Sequence, residues 1–442
     1  MAVAGVYGSD NAARLTYSCL YALQHRGQEG SGIASSDGEV ICVHRAQGLV
    51  ADVYKEQVFP TLKGKIAIGN NKYSTSKDRH VRNLQPLVAE LPLGQLAISL
   101  SGVLLTDEAR QSLKRRGTIF TTDADSEVIL HLIAQKAADM PLESAILETM
   151  KSLQGGYAVL FMSLDKLIAF RDPNGLKPLI LGKTTDNAYV VASETAALDL
   201  LNAEYVREIE PGEMVVISDS GVESYAKING YKVAPCVFEY VYTARPDSTL
   251  FSLPVYEVRK ECGRRLARQD KVEADLVIPV PDSGIAAAIG YAQESGLPFE
   301  LGIVRNHYVG RTFIRPMQEI RNFGVKVKLN PVDSIIAGKR IVVVDDSIVR
   351  GTTSMQIVQM LKDAGASEVH MRIASPPVLF PCRYGIDTPD KSDLIANRYN
   401  LEDIRKFIGA TTLDYLTLDN LKGAINENDC CSACFSGSYP LV

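Results

Sequence analysis

Residues 340–354, RIVVVDDSIVRGTTS, constrain the fold more tightly than any other stretch. The consecutive β-branched residues Ile341 to Val344 suit a strand buried on both faces. Two carboxylates follow at once, Asp345 and Asp346, and then a hydroxyl-rich loop from Ser347 to Ser354 with one glycine, Gly351. Ile357, Val358, Met360 and Leu361 fall at helical spacing, with Gly365 as the stop. In an open α/β sheet, ligands sit beyond the carboxyl ends of the strands. The backbone N–H groups and hydroxyls of Gly351, Thr352, Thr353 and Ser354 would open a helix N-terminus suited to a phosphate. Asp345 and Asp346 suit a ribose diol or a hydrated Mg²⁺, because a hard cation takes carboxylate oxygens.

A second unit repeats this order. Residues 276–280 read as another buried strand, Asp282-Ser-Gly284 as a tight turn, and 285–293 as a helix of small residues. Two strand–turn–helix units imply a parallel sheet with crossover helices. The turn can offer N–H groups to a pyrophosphate. Between the units, 305–318 carries Arg305, Arg311 and Arg315 with aromatic residues, Gly310 and Pro316, and no regular period. It reads as a lid over a polyanion.

The N-terminal half, residues 1–230, is built differently. Short apolar segments at 38–43, 65–68, 96–100, 158–162, 189–192 and 213–217 alternate with helical patterns at 12–24 and 125–140. Antiparallel sheets covered by helices fit this pattern. A change of composition near Tyr231 sets the boundary to a second domain, 231–442. A net charge of −5 argues against a nucleic-acid surface. No apolar run of about 18 residues indicates a membrane span. The first residues lack the pattern of a secretory signal, so the eight cysteines read as reduced thiols or metal ligands in a cytoplasmic protein.

The 340–354 stretch resembles the phosphoribosylpyrophosphate (PRPP) loop of type I phosphoribosyltransferases. In the first half, Ala22-Leu-Gln-His-Arg-Gly-Gln-Glu29, Arg171-Asp-Pro-Asn-Gly-Leu-Lys-Pro178, Ser193-Glu-Thr195 and Glu210-Pro-Gly-Glu213 resemble the Ntn-type glutaminase domain of the glutamine PRPP amidotransferase family. The resemblance spans nearly the entire chain. It implies an α+β Ntn-hydrolase-like domain of layered antiparallel sheets, followed by an α/β type I phosphoribosyltransferase domain. It further implies that Asp282, Ser283 and Gly284 hold pyrophosphate, and that Ser347, Arg350, Gly351, Thr352, Thr353 and Ser354 hold the phosphoribosyl group. Ser283, Asp345 and Asp346 would lie at the Mg²⁺ site, and Tyr308 and Arg311 on the closing loop. Arg315 departs from the glutamine usual in that loop.

The family's glutaminase chemistry does not carry over. Its N-terminal cysteine, in Cys-Gly-x-x-Gly-x-x-Gly, falls at Met1 in the register set by Gly5 and Gly8. A thioether forms no thiolate and cannot attack an amide. Lys72 replaces the arginine that clamps the glutamine carboxylate, and lysine lacks the bidentate fork. The His-Asn-Gly of the oxyanion hole reads Leu100-Ser101-Gly102, keeping only the glycine. Asp125, at the family's substrate-amine position, is expected to cap a helix. Cys19 and Cys42 read as small buried hydrophobes.

Four further cysteines need a home. Cys431-Ser-Ala-Cys434 is a CxxC pair, and Cys236 and Cys382 each follow a proline; zinc and [4Fe–4S] both take four thiolates. Ala-Pro-Cys-x-Phe-Glu-Tyr at 234–240, Pro-Cys-x-Tyr-Gly-Ile-Asp at 381–387 and Cys-x-x-Cys-Phe-x-Gly-x-Tyr-Pro at 431–440 resemble the family's iron–sulfur subgroup. The resemblance implies that Cys236, Cys382, Cys431 and Cys434 hold a structural [4Fe–4S] cluster, with Cys430 a bystander and Cys262 in the core. It also implies a homo-oligomer, dimer or tetramer. The expected activity is PRPP-dependent transfer to ammonia, free or from a separate source, or to another amine acceptor, without glutamine hydrolysis. The alternative is a non-catalytic PRPP or nucleotide sensor, or a scaffold subunit.

Overall fold

The computed structural model describes residues 1–73, 80–306, 328–426 and 429–441. The first half holds two antiparallel sheets face to face. One has seven strands, with Ala2–Tyr7 between Tyr189–Ala192 and Ile66–Lys72. The other has six, with Gly155–Met162 between Leu167–Arg171 and Gly94–Leu104. Strand alternation assigns the faces. Ala2, Ala4 and Val6 pack under the helix Ala12–Ala22, whereas Val3 and Tyr7 meet Ala158, Leu160 and Ala169 of the opposing sheet. The helices Asp125–Lys136 and Leu142–Met150 cover the outer face of the six-stranded sheet. Helix, sheet, sheet and helix therefore stack in four layers.

The second half holds a four-stranded parallel sheet in the order Leu276–Pro279, Arg340–Asp345, Glu368–Ile373, Thr412–Tyr415. The β-branched run explains its central position. Val342 and Val344 pack with Ala287, Ala288 and Tyr291, on the side of the helices Val255–Gln269 and Ile285–Ser295. Ile341 and Val343 pack with Ile357, Leu361 and Ile404, on the side of the helices Thr352–Asp363 and Leu401–Ile408.

One expectation needs correction, and two strands went unread. The first apolar segment forms its strand at Ile41–Gln47 rather than 38–43, because the Asp37 carboxylate accepts the N–H groups of Glu39 and Val40 and makes a turn there. The sheet-edge strands Glu204–Glu208 and Gly221–Lys227 carried no apolar signal, and Tyr205 and Tyr225 on them are exposed. Among the described residues no helix is long and apolar enough to cross a membrane.

Leu160 lies fully buried between the two sheets, against Gly5. Leu160→Ala is expected to cost about 2–5 kcal/mol, read as a fall in the denaturant midpoint. Leu200→Ala, at an exposed position, should stay within about 0.5 kcal/mol of the parent.

Candidate functional site

The loops after two adjacent parallel strands converge. Asp345 ends its strand, Asp346 follows, and both are buried. Asp345 Oδ1 accepts the N–H of Asp346 at 2.9 Å, and Asp346 Oδ1 accepts the Ser347 hydroxyl at 2.5 Å. The Ser283 hydroxyl, from the neighbouring loop, also donates to Asp346. Burial pushes both carboxyls up, and for Asp345 the charge of Asp346 adds to it. Arg259 is the cation that opposes this at Asp346, but its guanidinium is spent on the carbonyls of Tyr240 at 2.7 Å and Ala244 at 2.8 Å. Buried oxygen ligands short of positive charge fit a divalent cation. Mg²⁺ uses one or two carboxylates and completes its shell with water and substrate phosphate.

Two glycines shape the loops. Gly351 sits at φ +77° as the cap of the helix Thr352–Asp363, and a Cβ there would meet Ile395 at 2.5 Å. This leaves Thr352 and Thr353 exposed at the helix N-terminus and Ser354 buried behind them. Gly284 lets the two loops touch, since its Cβ would lie 2.4 Å from the Val344 carbonyl oxygen. Asp282 and Arg350 are exposed and paired, with Arg305 and with Asp393. Tyr308 and Arg311 lie outside the described residues.

The cysteines Cys236, Cys382, Cys431 and Cys434 line one pocket. The backbone brings them there. Cys236 and Cys431 form a parallel bridge, and the Cys434 carbonyl accepts the N–H groups of Leu379 and Phe380 at 2.9 and 3.0 Å. Cys382 Sγ accepts the N–H of Tyr384 at 3.3 Å. Burial pushes Cys236 and Cys434 well up and Cys431 up to about 12, so these thiols stay protonated unless a cationic group takes them as thiolates. A single zinc with bonds of about 2.3 Å draws its four sulfurs to within roughly 4 Å of one another. Zinc and [4Fe–4S] both take four thiolates, and these four cysteines could supply them to either.

The match to known proteins covers both halves at once. A glutamine amidotransferase domain family matches residues 70–200. Amidophosphoribosyltransferase 1, chloroplastic, of Arabidopsis thaliana is 48% identical over 99% of this chain and 78% of its own length. The amidophosphoribosyltransferase of Methanocaldococcus jannaschii is 47% identical over 99% of this chain and 96% of its own. The solved glutamine PRPP amidotransferase of B. subtilis, complexed with ADP and GMP, superposes with a TM-score of 0.93 at 45% identity, covering 100% and 97% of the two chains. This chain belongs to the amidophosphoribosyltransferase family. Its fold is therefore the Ntn glutaminase-type domain joined to a type I phosphoribosyltransferase domain.

The N-terminal residues singled out in the sequence make their contacts within the protein. Position 1 carries a thioether, and the Met1 carbonyl accepts the Ser101 hydroxyl at 2.8 Å. The α-amino group there is pushed down to about 4, chiefly by burial, then by Arg26 and Lys177. Lys72 is buried with its Nζ on the Asn83 carbonyl at 3.2 Å. Gly102 has a packing reason to be glycine, since at φ +116° its Cβ would lie 2.1 Å from the Gly156 oxygen. Asp125 does not cap its helix, contrary to expectation. Ala124 holds the cap position, while Asp125 accepts the Leu104 N–H at 3.1 Å and the Thr106 hydroxyl at 2.7 Å. Both carboxylate oxygens are thereby used in tying strand to helix. Cys19 and Cys262 are buried and pushed up to about 12, and Cys42 is half-buried.

Sequence reading missed a buried charge network. Arg26 Nε donates to Glu194, and its other arm reaches Glu239 Oε2 at 2.7 Å. Lys177 Nζ meets Glu239 Oε1 at 3.1 Å, and Glu194 also takes His25 at 2.7 Å and the Ser248 hydroxyl at 2.6 Å. Each member lies inside a motif already noticed, but nothing in the spacing says that those motifs meet.

Gly284→Ala should force the two loops apart, at a cost of about 1–3 kcal/mol. The check is the denaturant midpoint, which should fall; an unchanged midpoint would deny the close approach.

Proposed function

We propose that this protein is a PRPP-dependent phosphoribosyltransferase that displaces pyrophosphate with ammonia or another amine and does not itself hydrolyse glutamine. The observation that carries the reading is the convergence of Asp345, Asp346 and Ser283 beside a glycine-opened helix N-terminus, in a chain whose position 1 holds a thioether. Asp345 and Asp346 orient the ribose diol and hold Mg²⁺ with Ser283. Ser347, Arg350 and the groups from Gly351 to Ser354 take the phosphate of the phosphoribosyl moiety. Asp282, Ser283 and Gly284 receive the pyrophosphate, and Tyr308 and Arg311 belong to the loop that closes over it. The bound Mg²⁺ supplies charge neutralisation to the leaving group. The C1–O bond breaks with its electron pair on pyrophosphate. The amine nitrogen then forms the C1–N bond and gives up a proton.

The same reading assigns a [4Fe–4S] cluster to Cys236, Cys382, Cys431 and Cys434, where it fastens the C-terminal tail. It places the domain boundary near residue 230, and the assembly as a homo-oligomer. The same reading puts the protein in the cytoplasm, where thiols are kept reduced for metal binding.

The test is pyrophosphate release by anaerobically purified protein given PRPP, Mg²⁺ and ammonium. Asp345→Asn and Asp346→Asn should each lower the rate by about 10²-fold or more, as the loss of a group that stabilises developing charge does. Turnover that survives both substitutions places the site elsewhere. Release with no amine in a broad panel would favour a PRPP or nucleotide sensor.

A further inference from the structure

A buried cation lies behind the Cys236 segment of the cysteine pocket. Lys177 is buried, and its Nζ meets Glu239 at 3.1 Å. Leu176, the residue before it, accepts the Cys236 N–H through its carbonyl at 3.4 Å and packs in one apolar cluster with Cys431 and Tyr384. Glu239 donates its own N–H to the Cys236 carbonyl at 3.2 Å. The backbone on both sides of Cys236 is thus in register with the Lys177–Glu239 pair, and neither side chain can turn to solvent. The Lys177 ammonium opposes the upward push that burial gives the Cys236 and Cys431 thiols. Arg383, next to Cys382, is exposed, with its guanidinium 4.2 Å over the Tyr439 ring.

We propose that Lys177 sets the reduction potential of an iron–sulfur cluster held by these four cysteines, with Glu239 acting in the opposite sense. The inference rests on the cluster reading of the previous section. An electron added to a buried cluster with four thiolates raises a negative charge in a medium that screens it poorly. A fixed ammonium buried behind the Cys236 segment stabilises the reduced form and raises the potential. The Glu239 carboxylate, bound to the same ammonium, lowers it again.

The test uses anaerobically purified full-length protein, checked first for iron, sulfide and a visible absorption band. A wild-type protein without iron and sulfide removes the cluster reading, and the inference falls with it. Where the cluster is present, a mediated redox titration followed by visible absorption gives the ratio of reduced to oxidised cluster at fixed potential. Lys177→Met should lower that ratio about tenfold, a shift of about 59 mV for one electron. Glu239→Gln should raise it, and Lys177→Arg should leave it close to wild type. If Lys177→Met does not accumulate folded, the upward shift in Glu239→Gln decides the sign. Unchanged ratios in cluster-bearing variants, or a downward shift in Glu239→Gln, overturn the role of Lys177 while the cluster reading stands.

Discussion

Arg26, Glu194, Glu239 and Lys177 are closed away from water, and none of them is tolerable there alone. Stripping a charge of water costs several kcal/mol, recovered only where partners are close and well aligned. Here the signs alternate along a chain, from Glu194 to Arg26 to Glu239 to Lys177. Arg26 comes from the turn after the helix Ala12–Ala22, Glu194 from just after the strand Tyr189–Ala192, Lys177 from the turn after the strand Leu167–Arg171, and Glu239 from the start of the second half. Removing Arg26 or Glu239 from the middle of the chain takes a buried partner from each of its two neighbours. The two halves are therefore held in one arrangement by a condition more exacting than apolar contact. The cysteine segment adds to this join, because Gly385 packs on Gly102 and Tyr384 on Gly156.

What could be read from the chain beforehand follows from how local each signal is. The run from Ile341 to Val344 announces a strand with two apolar faces, and the structure divides it between two cores. Gly351 and the hydroxyls after it announce a helix start in the same way. The cysteines could be grouped by motif, although they come from three distant segments. The edge strands were silent because an exposed edge needs no apolar period. The charge network was silent for another reason. Arg26 and Glu239 lie 213 positions apart, and a buried ion pair has no period and no spacing to detect. Asp125 shows the limit of local rules, since an acid at a helix start looks like a cap whether its oxygens face the helix or, as here, a neighbouring strand.

The surroundings of position 1 and of the Asp345–Asp346 loop present a contrast in polar chemistry. Around position 1 the conspicuous groups serve the protein itself: Ser101 holds the Met1 carbonyl, Lys72 the Asn83 carbonyl, and Asp125 the Leu104–Thr106 turn. At the carboxyl ends of the parallel strands the balance is reversed. Asp345 and Asp346 are buried with charge left uncompensated, and exposed threonines open the adjoining helix. Buried carboxyls beside a helix N-terminus are what the proposal of a magnesium-bound sugar phosphate rests on.

The central claim is that transfer proceeds while glutamine hydrolysis does not. It is tested most directly by giving the anaerobic protein glutamine, PRPP and Mg²⁺ and measuring glutamate formed, beside a parallel sample in which ammonium replaces glutamine and pyrophosphate is measured. The account predicts pyrophosphate from the ammonium sample and no glutamate above the protein-free background from the other. Glutamate produced at a rate matching pyrophosphate release would contradict it.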